Sequence, residues 1–175
     1  MAKQLKALQF MLYSPFGNNK GVSLIEILIV IAIISLTLTN LLGLTSFSLR
    51  TTSLIRQTHL ANNLAQETME EVRNFRDGTS WDIDGLGTLT TSTDYYPQKY
   101  DTPFKWQLIS GTETINGFVR KVVFEDVRRD GNDDIIIVGG DLDPSTKKNT
   151  VTVSWEERGK THQIALTTYL TNWRQ

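Results

Sequence analysis

The sequence predicts an α+β protein in which one long N-terminal helix, transmembrane in its first half, packs against a small C-terminal antiparallel β-sheet. Residues 22–44 are almost continuously apolar, and an apolar run of about 20 residues is long enough for a helix to cross a membrane. Apolar residues then recur at helical spacing as far as residue 76. Residues 105–175 instead alternate between apolar and polar side chains, which is typical of strands with one buried face.

The chain begins with a basic, polar segment ahead of the apolar run. Lys3, Lys6 and Lys20 lie there, and no acidic residue precedes Glu26. Because positive charge favours the cytoplasmic side of a membrane, the N-terminus is predicted to be cytoplasmic and the bulk of the chain external. A secretory signal has its small-residue cleavage site after the apolar region, whereas Gly21 comes before it here. Cleavage after Gly21 would remove the leader and retain the membrane helix.

The residues KGVSLIE at positions 20–26, followed by the long apolar run, resemble the N-terminus of type IV prepilins and of the pseudopilins of type II secretion and DNA uptake. The resemblance implies a pilin-like fold, cleavage after Gly21 by a prepilin peptidase, and methylation of the new amine at Val22 by an N-methyltransferase. A glutamate at the fifth mature position is a hallmark of the family, and Glu26 matches it. The family's usual first two mature residues are phenylalanine and threonine, where this chain has Val22 and Ser23.

Glu26 is the only ionisable residue between Val22 and Leu49. An unpaired charge inside hydrocarbon is costly. After cleavage, the amine of Val22 lies roughly one helical turn from this carboxylate. We therefore expect the amine of a newly added subunit to pair with Glu26 of its neighbour, so that each charge offsets the burial cost of the other. The alternative is an uncleaved anchor in which Glu26 lies near the interface or is protonated.

The length of the chain leaves room for one small external domain. We expect five segments in its 175 residues: a leader (1–21), a transmembrane and assembly helix (22–45), the extramembrane half of the helix (46–77), a helix-to-sheet loop (78–104) and the β-sheet of the head (105–175). The 18 basic and 19 acidic residues give no strong signal for polyanion binding. The sequence has no cysteine, which excludes a disulfide or thiolate-metal framework.

The extramembrane half of the helix has no proline from Ser46 to Arg76. Apolar residues recur there at spacings of three, four or seven, which predicts a helix with one buried stripe: Leu54, Ala61, Leu64, Ala65, Met69, Val72 and Phe75. The charged residues of the same segment are predicted to lie mostly off this stripe: Glu67, Glu70, Glu71 and Arg73. Asp77-Gly78 supplies a stop for the helix.

Residues 78–104 are rich in Gly, Thr, Ser, Asp and Tyr and predict a long ordered loop, with Trp81 and Tyr95-Tyr96-Pro97 as its anchors. The alternating segments that follow predict a four-stranded, mostly antiparallel sheet. The four segments are residues 105–109, 118–127, 151–155 and 164–170, with a short apolar run at residues 135–138 and turns at Asn116-Gly117 and at residues 157–160.

An acidic cluster, Asp130, Asn132 and Asp134, resembles the opening of a calcium loop, with oxygen ligands at alternate positions. Ile135 stands where such a loop needs glycine, and the bidentate glutamate expected about seven residues later is missing. The alternative is an aspartate-rich hairpin turn. These residues are therefore a weak calcium candidate, and no other metal or cofactor is predicted.

No enzyme motif is found. The sequence has no His and carboxylate pair at ligand spacing, no nucleophile elbow and no phosphate loop. Nucleic-acid binding would require an exposed basic patch, for which the candidates are Lys99, Lys105, Arg120, Lys121, Arg128 and Arg129. Acidic residues interrupt that set, so we expect no catalytic residue and no clear nucleic-acid partner.

The resemblance implies a structural subunit of a type IV pilus-like or pseudopilus filament, and the lack of a cysteine-closed region favours a minor subunit. Its implied partners are prepilin peptidase/N-methyltransferase, other pilin or pseudopilin subunits, the inner-membrane assembly platform and membrane lipid. Its implied location is the cytoplasmic membrane, with the head extracytoplasmic and, after assembly, in a surface filament or pseudopilus. The alternative is an uncleaved single-pass membrane protein whose external β domain binds a ligand or partner.

Overall fold

A computed structural model describes residues 23–101 and 104–173. The chain divides into two units, residues 1–49 and residues 50–175. One helix, α1, runs from Leu24 to Gly78 and contributes to both. The expected leader (1–21) and Val22 lie outside the described residues.

In the first unit, α1 is exposed on every side from residue 24 to residue 49. The helix begins where the carbonyl oxygen of Ser23 accepts the amides of Glu26 and Ile27, at 2.9 and 3.2 Å. The hydroxyls of Thr37, Thr39 and Thr45 donate to the carbonyl oxygen three or four residues back, at 2.8 to 2.9 Å. Because these hydroxyls bond to their own helix, they do not oppose burial of this segment in lipid.

In the second unit, α1 packs against the sheet through the predicted stripe. Five of its residues are buried, namely Ala61, Ala65, Met69, Val72 and Phe75. Leu64 is half-buried against the core. Leu54, which was also predicted to lie on the buried stripe, is exposed by 36% and lies outside the core cluster. Two polar residues, Thr68 and Glu71, are also buried on this face. The prediction that Glu71 lies off the stripe is therefore wrong.

The rest of the second unit is one antiparallel sheet. Its strands are β1 (Asp94–Asp101), β2 (Phe104–Ser110), β3 (Glu113–Ile115), β4 (Phe118–Arg129), β5 (Ile135–Ile136), β6 (Asp141–Glu157) and β7 (Lys160–Thr171). The order is β2-β1-β4-β6-β7, and the short strands β3 and β5 both pair with β4. The α+β class is confirmed, but seven described strands replace the four that were predicted.

The segment expected as a loop, residues 78–104, is a loop only in its first part. A short 3₁₀ helix (Leu86–Thr88) is followed by β1, which pairs along its length with β2. Tyr95 and Pro97 are buried and Tyr96 is less so, an alternation that the polar composition of the segment conceals. A proline has no backbone N–H to donate to a neighbouring strand. Pro97 is tolerated in β1 because β1 pairs with β4 only through its first two residues, so no β4 hydrogen bond is lost at Pro97.

The core lies between α1 and the inner face of the sheet. It is formed by Val122 and Phe124 of β4, by Val151, Val153 and Trp155 of β6, and by Trp81 and Leu86 from the connecting segment. The two predicted turns are confirmed as two-residue hairpins. Asn116-Gly117 has φ values of 51° and 85°, and Arg158-Gly159 has φ values of 53° and 73°. Two-residue turns whose twist matches that of the strands need positive φ at both residues.

Candidate functional site

Among the described residues, the longest run of exposed apolar side chains lies on α1 in the first unit. Its large aliphatic and aromatic side chains from Leu24 to Leu49 are exposed by 49 to 74%. Monomeric soluble proteins rarely expose a continuous apolar surface of this extent. By length and composition this part of α1 qualifies as a membrane-crossing helix.

Glu26 lies in the first turn of α1, at the head of this surface. It is exposed, and the next ionisable residue along the chain is Arg50. The free amides and the dipole at a helix N-terminus favour an anion there. The other two predicted site residues, Gly21 and Val22, lie outside the described residues. The structure therefore shows where Glu26 lies in the helix, and the residue with which it pairs stays a prediction.

Residues 17–39 match the family described as "Prokaryotic N-terminal methylation motif". This match includes Gly21, Val22, Glu26 and the first part of the apolar run. No curated protein and no solved structure matches the chain. The motif, the long apolar helix and the C-terminal antiparallel sheet are consistent with a type IV pilin-like protein.

The motif supports a type IV pilin- or pseudopilin-type substrate of prepilin peptidase. It implies association with other pilin subunits, and with the apolar helix it suggests a membrane-anchored protein. The family that carries the motif is structural. The match ends at residue 39, so it does not describe the head.

The basic residues considered for nucleic-acid binding do not form an exposed patch in the described part of the chain. Arg120 is only 5% exposed. Three others are paired with carboxylates: Lys105 with Asp84 at 2.7 Å, Lys121 with Asp94 at 3.1 Å and Arg129 with Asp143 at 2.7 Å. The structure thus gives no support to nucleic-acid binding by this set.

The weak calcium candidate forms an aspartate turn. Oδ1 of Asp130 accepts the amides of Asn132 and Asp134, at 2.9 and 3.0 Å. The guanidinium of Arg129 donates to the carbonyl oxygen of Asp133 at 2.7 Å, which brings a positive charge to the same loop. Over residues 23–101 and 104–173, no group of three or more His, Asp or Glu side chains is arranged to hold a metal ion. Calcium binding by Asp130, Asn132 and Asp134 stays a prediction.

A buried charge cluster joins α1 to the sheet. The guanidinium of Arg120 donates to Glu71 at 2.6 Å, to Thr68 at 3.1 Å and to the carbonyl oxygen of Pro97 at 3.1 Å. Its Nε donates to Glu113 at 2.8 Å. Five N–H donors on a planar group suit several acceptors at once, which is why arginine serves here.

This cluster could have been predicted from the position of Arg120 in the sequence. In β4, residues 118, 120, 122 and 124 lie on one face, and Val122 and Phe124 are in the core. An arginine between inward-facing apolar residues needs a buried carboxylate as its partner. The helix α1, which packs on this face of the sheet, provides Glu71. Burial raises the pKa of the Glu71 carboxyl, and the attraction of Arg120 opposes that rise without cancelling it.

Proposed function

We propose that this chain is a structural subunit, not an enzyme, of a type IV pilus-like or pseudopilus filament, cut after Gly21 and methylated at Val22. The observation that carries the proposal is the methylation motif at residues 17–39. The motif includes the start of a helix whose apolar side chains are exposed all round from residue 24 to residue 49. A processing signal on such a helix is what an assembling membrane precursor needs.

In this proposal Glu26 sets the register of assembly. Cleavage creates an amine roughly one turn before this carboxylate, and the described helix begins with Glu26 in its first turn. Packing of two apolar helices side by side brings the amine of one subunit to the Glu26 of another. Two opposite charges buried between apolar helices are favourable only when they meet. The pair therefore selects one axial alignment of the two helices.

The subunit is proposed to wait in the cytoplasmic membrane with its leader in the cytoplasm and its head outside. Its partners there are prepilin peptidase/N-methyltransferase, lipid and the assembly platform, and in the filament they are other pilin or pseudopilin subunits. The three lysines of the leader support this orientation. A minor subunit role is proposed because the head has no cysteine to close its C-terminal region.

The assembly role is tested by Glu26→Leu and Glu26→Gln in cells that produce the assembly machinery. Both variants should insert into the membrane and be processed, because removing a charge makes the helix more compatible with lipid. Filaments sheared from the cells should lose the variant subunit, since the amine of the neighbour then lacks its counter-charge. The matched control is Glu67→Gln, an exposed glutamate in the second unit. Equal incorporation of Glu26→Leu and the control would refute the pairing.

A further inference from the structure

The long strand β6 defines two opposite ends of the head. It has 17 residues and therefore spans roughly 50 Å. At one end its last residue, Glu157, lines the same groove as Arg50 and Leu54; we call this the Arg50 end. At the other end the carbonyl oxygen of Pro144 accepts the indole N–H of Trp81 at 3.0 Å, just after the end of α1. We call this the Gly78 end.

A short apolar segment protrudes at the Gly78 end. Residues 135–138, here named the tongue, begin with β5, which pairs with the last two residues of β4. Ile137 is 97% exposed and Val138 is 86% exposed. Gly139 and Gly140 follow with φ values of 84° and 64° and turn the chain back into β6. Two nearly fully exposed aliphatic side chains on a fixed turn are typical of a contact surface.

An open groove of about 280 Å³ lies at the Arg50 end. One wall comes from α1, with Arg50, Thr51 and Leu54, and the other comes from the β6–β7 hairpin. The ring of His162 closes it, stacked on Trp155 with 5.5 Å between ring centroids. Leu54 and the ring of His162 give this groove an apolar part, and three cations, Arg50, Arg158 and Lys160, also line it.

The two ends carry opposite charge. Residues 128–143, which include the tongue, contain five aspartates and two arginines. Residues 50–56 and 156–160, around the groove, contain four cations and two glutamates. Within the described residues, the carboxylates of Asp134 and Asp141 form no ion pair, and neither do Arg158 and Lys160. A tongue is therefore attracted to a groove and repelled by another tongue.

We propose that the tongue of one copy of this chain docks into the groove of the next copy, as a head-to-tail contact along the filament. The inference rests on the proposed filament and adds the surfaces that join the heads. A contact between two different surfaces of the same chain does not close on itself unless the rotation forms a ring. It can therefore repeat along an open assembly, as a filament requires.

The lack of cysteine in the sequence makes the contact directly testable. The full chain carrying both Ile137→Cys and Leu54→Cys is produced in cells that have the assembly machinery, and filaments sheared from those cells are treated with a short bis-maleimide cross-linker. A ladder of dimers, trimers and larger species is expected. Each single variant should give no ladder, and neither should the matched pair Ile137→Cys with Ala165→Cys, because Ala165 is an exposed residue in the middle of β7.

Other outcomes overturn the inference. Dimers from Ile137→Cys alone would show that two tongues meet. No ladder from the tongue–groove pair, when a lysine-reactive cross-linker still gives multimers, would refute the docking and leave the filament standing. No multimer with either reagent would refute both proposals. If Leu54→Cys is shielded from a water-soluble maleimide equally well when Ile137 is changed to Asp, the tongue does not cover the groove and the docking is wrong.

A charge swap tests the orientation. Asp134→Lys at the Gly78 end and Lys160→Glu at the Arg50 end should each lower the yield of the ladder, by up to about fivefold for an exposed pair. All of these variants carry the Ile137→Cys and Leu54→Cys pair. The two charge changes in one chain should restore the yield, and added salt should reduce the yield in the chain that carries the cysteine pair alone. A combined variant no better than either single variant would show that the two ends do not meet.

Discussion

Arg120 is the residue on which the attachment of α1 to the sheet depends most. Its side chain is 6% exposed and that of Glu71 is 11% exposed, so removing one partner leaves the other charge buried. Such a loss typically costs about 3 to 5 kcal/mol. We therefore expect Arg120→Met to lower the free energy of unfolding of the head by about that amount, measured in detergent by denaturant titration of tryptophan fluorescence.

An exposed pair on the same helix is the control for that variant. Arg73 and Glu70 form an ion pair in which the two side chains are 44% and 62% exposed, and Arg73→Met should cost less than about 1 kcal/mol. Replacing both buried partners, Arg120→Met with Glu71→Leu, should recover much of the loss because no unpaired charge remains at Glu71. Equal effects of Arg120→Met and Arg73→Met would disprove the structural role of the cluster.

Asp143 gives the head a predictable response to acid. Burial by itself raises the pKa of its carboxyl, but hydrogen bonds from Arg129, Thr146 and Ser145 outweigh burial and lower the pKa below 3.8. A carboxyl with a lowered pKa in the folded state stabilises it above the unfolded-state pKa, and this contribution disappears as pH falls through the folded-state value. Asp143→Asn should therefore be less stable than the unchanged chain at pH 5, with a difference that shrinks below pH 3.8.

The measurement for Asp143 is unfolding of both chains at several pH values in the same detergent. Asp82→Asn, at an exposed aspartate, is measured beside it as the control. A difference for Asp143→Asn that grows on acidification would contradict the sign of the shift.

Among the elements, the 3₁₀ turn at Leu86–Thr88 holds Trp81 in the core. A Cβ atom added at Gly87 would lie 2.6 Å from Cδ1 of Trp81 and 2.7 Å from its carbonyl oxygen. Overpacking of this kind typically costs about 1 to 3 kcal/mol, so Gly87→Ala should unfold at lower denaturant concentration and shift the tryptophan emission. Gly131→Ala meets nothing within 4 Å and should change stability little. If the two variants behave alike, the turn does not support Trp81.

The elements that sequence predicts well are those with a strong local pattern. The apolar run, the stripe on α1 and the two hairpins at Asn116-Gly117 and Arg158-Gly159 depend on spacing or on backbone conformation within a few residues. The strand β1 was missed because its buried residues are a tyrosine and a proline in a polar context, and only pairing with β2 makes it a strand. Glu71 was misplaced because its burial depends on Arg120, 49 positions away.

The candidate site was predictable to the same degree. Gly21, Val22 and Glu26 form a local motif, so one sequence was enough to predict them, and the family match at residues 17–39 includes them. The tongue and its groove were not predicted, since the first is a short apolar run that looks like a strand and the second is built from segments about 100 positions apart. Only the fold brings the residues of the groove together.

At the scale of the whole molecule, the two units divide the work of the proposed subunit. The first has an exposed apolar helix and a processing motif that serve anchoring and assembly. The second has a core of its own and opposite charges at its two ends. In the proposed assembly the precursor must first become a mature subunit, because the amine proposed to pair with Glu26 does not exist until the leader is removed.

The most direct test is the intact mass and N-terminal sequence of the protein extracted from membranes, expressed with and without a prepilin peptidase. With the peptidase, we predict a chain that starts at Val22 and carries one added methyl group; without it, a chain that starts at Met1. Gly21→Val should stay uncut, because a bulky side chain stands at the cleavage site, whereas Gly17→Val in the same leader should be processed. A chain that keeps Met1 in both cells would contradict the account and favour the uncleaved single-pass anchor.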